Sequence, residues 1–145
     1  DCVEALTHIK KPQELLEASS PATQHVHSHV RPILQENKQQ LEEAHNGELE
    51  NGVYTYVFGS LNTSLVTNIA NELNTKIDCD ILIVGRDDGE RINFSMRSTD
   101  VSLTEPLENA LTKVNGYGGG HENACGGSVR KEDWKRFIQH IQKNH

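Results

Sequence analysis

Long apolar runs are missing from this 145-residue chain, in which hydrophobic residues make up 34%. No stretch approaches the roughly 20 consecutive apolar residues that span a bilayer, and the N-terminus lacks the charged and apolar regions of a signal peptide. The expectation is a soluble, cytoplasmic protein with no membrane partner. Cysteine is scarce too. Cys2, Cys79 and Cys125 are an odd number without metal-binding spacing, which argues against a disulfide framework and leaves reduced thiols as the default. Basic residues are outnumbered, 14 Lys and Arg against 21 Asp and Glu, giving a formal charge of −7 and a pI near 5.6. That balance argues against a broad electropositive surface holding nucleic acid through many phosphates. Any oligonucleotide has to be gripped locally. Position 1 is Asp rather than Met, and residues 1–10 read as the middle of a longer polypeptide.

What remains is enough for one compact domain and a helical arm. In residues 12–45, Pro12 and Pro21 sit near helix starts and Ser20 can cap. Val26, Val30, Ile33, Leu34 and Leu41 recur at helical spacing. Pro32 either kinks one long helix or opens a second, and a kinked connector is the expectation; His45-Asn46-Gly47 ends it. From Gly52 the period changes. Val53–Phe58 reads as a strand, Ser64–Thr75 as a helix with Leu65, Val66, Ile69, Ala70 and Leu73 on one face, and Asp80–Val84 as a buried strand, together a βαβ unit. Asp87-Asp88-Gly89 is a hairpin turn that makes Arg91–Arg97 antiparallel to Ile81–Arg86. Leu103–Val114 is a helix stopped by Asn115-Gly116. Ala124–Val129 can form a last strand before a helix over Lys131–Lys143 with Trp134, Phe137, Ile138 and Ile141 inward. The predicted class is α/β, with a mixed sheet of about five strands flanked by helices and preceded by a helical arm.

The chemistry concentrates in a glycine-dense segment, Gly118-Gly119-Gly120-His121-Glu122-Asn123-Ala124-Cys125-Gly126-Gly127. Read as a loop, Gly118, Gly119 and Gly120 let consecutive N–H groups approach a phosphate, and His121 adds a donor. Upstream, Ser95-Met96-Arg97-Ser98 ends a strand with a guanidinium and two hydroxyls suited to phosphate or carboxylate. Strand alternation puts Ser95 and Arg97 on one side and Met96 and Ser98 on the other, unless the strand stops at Met96 and frees Ser98 to turn toward the cleft. A plain tight connection is the competing reading of the glycines. The expected binding residues are Arg97, Ser98, Gly118, Gly119, Gly120 and His121, with no catalytic residue and no metal ligand. A Cys125–His121 nucleophilic dyad lacks a third orienting group. His25, His27 and His29 share a helical stretch with no neighbouring Asp, Glu or Cys to complete a metal site, so a solvated helix is expected there. Asp78-Cys79-Asp80 reads as the turn before a buried strand.

Gly118–Gly127 resembles the glycine-glycine-glycine-histidine signature of the DHH-associated domain, the C-terminal lobe of DHH-family phosphoesterases. Ser95-Met96-Arg97-Ser98 resembles that lobe's second signature. The resemblance covers roughly residues 50–145, and the Ala124-Cys125-Gly126 ending resembles variants common among archaeal and bacterial RecJ-like proteins and oligoribonucleases. It implies residues 1–47 as a helical interdomain linker and 48–145 as the substrate-binding domain. It also implies a role in holding the phosphate of a terminal nucleotide or short single-stranded oligonucleotide for hydrolysis. The Asp-His-His motif and the carboxylates that hold two metal ions, Mn2+ or Mg2+, belong to a separate N-terminal domain; with no such triplet, this chain alone is expected to be inert. Two other roles follow from the same resemblance: an RNA-binding module like the C-terminal part of alanyl-tRNA synthetases, and a platform for replication proteins.

Overall fold

The computed structural model describes residues 1–59 and 66–145. The chain divides into two compact units, Asp1–Gln39 and Gln40–His145. The first holds α1 (Cys2–Thr7), α2 (Pro12–Glu17) and most of α3 (Pro21–Ala44). Ser20 caps α3 as expected, in a reciprocal box: its N–H donates to Thr23 Oγ1 at 3.0 Å, and the Thr23 N–H donates to Ser20 Oγ at 3.3 Å. This satisfies donors that a helix start leaves open. Pro32 lies inside α3, so the chain forms one helix there rather than two. No helix among the described residues is long and apolar enough to cross a membrane.

The second unit is a six-stranded mixed sheet, one strand more than expected, in the order β1-β2-β3-β4-β6-β5. Two strands are absent from the sequence reading: the glycine segment Gly116–His121, and β1 (Glu48–Glu50), which is joined to β2 (Val53–Phe58) through Asn51 and Gly52, both at positive φ. The βαβ unit is present: β2 runs parallel to β3 (Ile81–Asp87), with α4 (Val66–Leu73) between them. Ser64 and Leu65, assigned to that helix from the sequence, lie outside the described residues. β4 (Arg91–Ser98) returns antiparallel through the predicted turn, where Asp88 Oδ1 accepts the N–H groups of Glu90 and Arg91. After α5 (Thr104–Leu111) come β5 (Gly116–His121) and β6 (Ala124–Arg130), then a 3-10 turn and α6 (Trp134–Lys143).

Each face of the sheet carries its own core. On one side Ile81, Ile83, Phe94, Met96, Cys125 and Val129 pack with Leu107 of α5 and with Phe137 and Ile141 of α6. The Phe94, Trp134 and Phe137 rings cluster there with centroids 4.8–6.0 Å apart. On the other side Tyr54, Phe58, Leu82 and Val84 pack with α4 and with Leu41 and Ala44, the end of α3 that belongs to this unit. Tyr54 fastens that end: its hydroxyl donates to the Ala44 carbonyl at 2.6 Å and accepts the Gly47 N–H at 2.7 Å. Removing the hydroxyl orphans a buried acceptor, so Tyr54→Phe should destabilise the chain by about 1–3 kcal/mol. A urea midpoint equal to wild type would refute this.

Candidate functional site

Strand register fixes which side chains share a face, because alternate residues along a strand point the same way. Arg97 pairs with Ala124 across β4 and β6, and Ala124 pairs with His121 across β6 and β5. The three therefore form one row on the α4 side, with Arg97 and His121 about 10 Å apart, two strand spacings, across a methyl group. The next row, about 7 Å along the strands, is Ser95, Gly126 and Gly119; the one after is Asn93, Ser128 and Tyr117; Arg91 and Arg130 begin a fourth. α4 packs over β3 and β4. Beyond it, Gly119 and His121 are exposed. The result is an open trough with α4 as its one wall and a floor of alanine and glycine. Arg97 stands at that wall and His121 at the rim.

Arg97 is held in place. Its Nε donates to Asn71 Oδ1 on α4 at 2.6 Å, and Nη1 donates to the Met96 carbonyl at 2.7 Å and the Cys125 carbonyl at 3.4 Å. Partial burial pulls its pKa below the ordinary arginine value, yet a guanidinium stays charged at any physiological pH. Among the described residues no carboxylate pairs with it. The four rows hold three arginines and no acid, in a chain of charge −7. Positive charge is thus concentrated locally in an acidic chain.

The glycine triplet departs from the sequence reading. Gly118, Gly119 and Gly120 are not a loop: they lie in β5, paired with Gly127, Gly126 and Cys125, and the turn is Glu122-Asn123. In a strand, successive N–H groups point in opposite directions, so the segment does not form a converging nest. The three glycines also differ in kind. A Cβ at Gly118 would stand 2.7 Å from the Gly126 carbonyl oxygen and one at Gly120 2.3 Å from that of Ala124, whereas at Gly119 it would meet nothing within 4 Å. Gly118 and Gly120 are demanded by close strand approach. Gly119 leaves open space on the trough floor.

Ser98 falls on the other side. β4 continues through Ser98 rather than stopping at Met96, so alternation holds, and Ser98, buried toward the helices α5 and α6, accepts the Val101 N–H at 2.8 Å. Its hydroxyl closes a turn. Ser95 occupies the Arg97 side instead, its Oγ 3.3 Å from Thr67 Oγ1. Cys125 also faces α5 and α6, with Sγ on the His121 backbone carbonyl at 3.2 Å rather than on the ring. Burial raises its thiol pKa, and among the described residues its hydrogen bond goes to a backbone carbonyl. Asp78-Cys79-Asp80 forms the bend before β3, and the Asp80 N–H donates to the Gly52 carbonyl.

In the first unit the structure supplies what the linear spacing hid. Cys2 comes to His25 and His29, and one donor atom from each lies within 4.8 Å of the others. The His29 Nδ1 bonds the His25 carbonyl, leaving Nε2 for a ligand. This is three donors of the zinc type, one short of a closed tetrahedral site. Among the described residues no other group of three His, Cys, Asp or Glu donors converges. A two-ion carboxylate centre therefore does not fit on them.

Comparison with known proteins agrees with this fold. RecJ from Thermus thermophilus, in complex with Mn2+, superimposes with a TM-score of 0.68 at 13% identity, over 84% of this chain and 18% of RecJ. The C-Ala domain of Aquifex aeolicus alanyl-tRNA synthetase does so with a TM-score of 0.54 at 18% identity, over 63% of this chain and 87% of that domain. The pGpG-specific phosphodiesterase PggH from Vibrio gives 0.56 at 18% identity, over 97% of this chain and 47% of PggH. The chain thus spans under half the length of either phosphoesterase it resembles. No curated protein sequence matches it. A family model for the DHHA1 domain matches residues 50–144, and the chain belongs to that family, the DHH-associated C-terminal domains.

Proposed function

We propose that residues 48–145 form the substrate-recognition domain of a DHH-family phosphoesterase, holding the phosphate of a terminal nucleotide or short single-stranded oligonucleotide. Arg97 supplies the guanidinium, His121 a second donor across the trough, and the exposed backbone of Gly118–Gly120 the rim that continues from His121 along the same strand. The observation that carries this reading is the Arg97, Ala124, His121 row: two donor side chains on backbone positions about 10 Å apart across a residue too small to fill the gap, among rows free of acids. Ser98, on the far face, has no part in it. Hydrolysis belongs to a separate catalytic domain carrying Mn2+ or Mg2+, and replication proteins are a further class of partner for the whole protein. An RNA-binding module of the alanyl-tRNA synthetase kind is the alternative, and the net charge of −7 weighs against it.

The test is a two-dimensional NMR titration of the labelled chain with a nucleoside 5′-monophosphate and a 5′-phosphorylated dinucleotide. Saturable shifts confined to the amides of 95–97 and 118–121, with millimolar affinity because one wall of the cleft is absent, are the expected result. Shifts elsewhere, or none at tens of millimolar ligand, would sink the phosphate reading. Tight tRNA binding with a steep salt dependence would favour the RNA module.

A further inference from the structure

We propose that Tyr117 is a stacking platform for the nucleobase of the bound nucleotide, which makes this face select nucleotides over phosphate compounds that lack a base. The inference rests on the proposed phosphate site and extends it along β5. Tyr117 lies two residues from Gly119 and four from His121 on the same face, and it is 68% exposed. A large aromatic left that open on a sheet face gives up burial that its hydrophobic area would otherwise gain.

The ring is prepared on one side only. The Arg91 guanidinium carbon sits 5.5 Å from the ring centroid. Arg91 is itself fixed, its Nε donating to Ser128 Oγ at 2.8 Å and its Nη2 to the Ser128 carbonyl at 3.1 Å. By register Arg91 belongs to the row beyond Tyr117, away from Gly119. Its guanidinium reaches from there to Ser128, in Tyr117's own row, and covers one face of the ring. The row on the far side of Tyr117 from the Arg91 backbone is Gly119 and Gly126, which have no side chains.

The spacing suits one nucleotide. Tyr117 and His121 are separated by four residues of strand, about 13 Å. A base stacked on the ring takes roughly 4 Å of this. The remainder, shortened by the reach of the Arg97 and His121 side chains, is a span that a sugar lying over the Gly119–Gly126 floor can bridge. Stacking reads the π-face that every base has, so the platform tolerates any base. A bare phosphate chain has nothing to place there.

Affinities of the chain and of its Tyr117→Ala and Tyr117→Phe variants should be measured by NMR titration for a nucleoside 5′-monophosphate, ribose 5-phosphate and inorganic tripolyphosphate. Wild type should prefer the nucleotide to ribose 5-phosphate by roughly 5- to 150-fold. Tyr117→Ala should erase that preference while leaving the two base-free ligands unchanged, and Tyr117→Phe should keep it, because stacking needs the ring and not the hydroxyl. Base protons should move upfield in wild type and not in Tyr117→Ala. If wild type binds ribose 5-phosphate and tripolyphosphate but the nucleotide no better, stacking is overturned and the phosphate site stands. If Tyr117→Ala weakens all three ligands equally, Tyr117 shapes the strand and does not read a base, which also overturns the proposal. If wild type binds none of the three, the phosphate site fails and this inference falls with it.

Discussion

Gly119→Val should leave the chain folded and yet cost it at least about tenfold in nucleotide affinity, while Gly120→Ala, a smaller change one residue away, should damage the fold itself. A Cβ at Gly119 meets nothing within 4 Å, and a glycine inside a strand costs roughly 0.5–1 kcal/mol relative to alanine. Valine favours strands, so its stability should equal or exceed wild type. Its branched side chain would fill the floor between Arg97, His121 and Tyr117 and exclude any ligand lying there. Gly120 is the opposite case. Its φ is +152°, and its Cβ would stand 2.3 Å from the Ala124 carbonyl oxygen and 2.7 Å from the Cys125 Cα, backbone atoms that cannot yield without shifting β6. Strain and overpacking of this kind cost about 2–4 kcal/mol. Urea midpoints and phosphate titrations on both variants separate the roles. Undiminished ligand binding by Gly119→Val, or wild-type stability in Gly120→Ala, would show that the two glycines are not divided between ligand and fold as the geometry demands.

That division explains what the sequence could reveal. Elements with strong periodicity were legible: the βαβ unit, because Val66, Ile69, Ala70 and Leu73 repeat at helical spacing, and the β3–β4 hairpin, because Asp87-Asp88-Gly89 has the chemistry of a tight turn. The alternation that puts Ser95 and Arg97 on one face and Met96 and Ser98 on the other was legible for the same reason. β1 was not, since Glu48–Glu50 is three exposed residues with no apolar alternation, and only pairing with β2 makes it a strand. Gly118–Gly120 was misread as a loop because glycine has almost no strand propensity. Its partner strand sets Gly127 and Gly126 opposite Gly118 and Gly119, and the two strands approach too closely for side chains, a tertiary condition no local pattern displays. Tyr117 escaped notice for a related reason: until β5 is known to be a strand, nothing puts it on the same face as His121. Cys2 beside His25 and His29 depends on the packing of α1 near α3, which spacing along the chain cannot convey.

Arg97→Ala should weaken phosphate binding by about 10- to 150-fold, corresponding to the 1.5–3 kcal/mol typical of a hydrogen bond to a charged group, with stability held within about 1 kcal/mol. The small stability effect follows from the surroundings. Asn71 is exposed, so its Oδ1 regains water when the guanidinium leaves. The large binding effect follows from preorganisation. With Nε on Asn71 Oδ1 and Nη1 on the Met96 carbonyl, the planar fork is already oriented, and among the described residues Nη2 makes no bond and can turn to an anion. Lysine does not reproduce this, since an ammonium is a point charge that cannot hold those acceptors while presenting a planar pair of donors. Arg97→Lys should therefore recover only a minor part of the loss. Asn71→Ala should fall between wild type and Arg97→Ala, because it frees the guanidinium without removing it. The uncharged nucleoside is the control: its weak binding should be indifferent to all three substitutions. If Arg97→Lys binds a nucleoside monophosphate as well as wild type, charge alone is at work and the oriented fork has no role. If Arg97→Ala binds it as well, the anion sits elsewhere on the sheet, and the row of Arg97, Ala124 and His121 is only a feature of the fold.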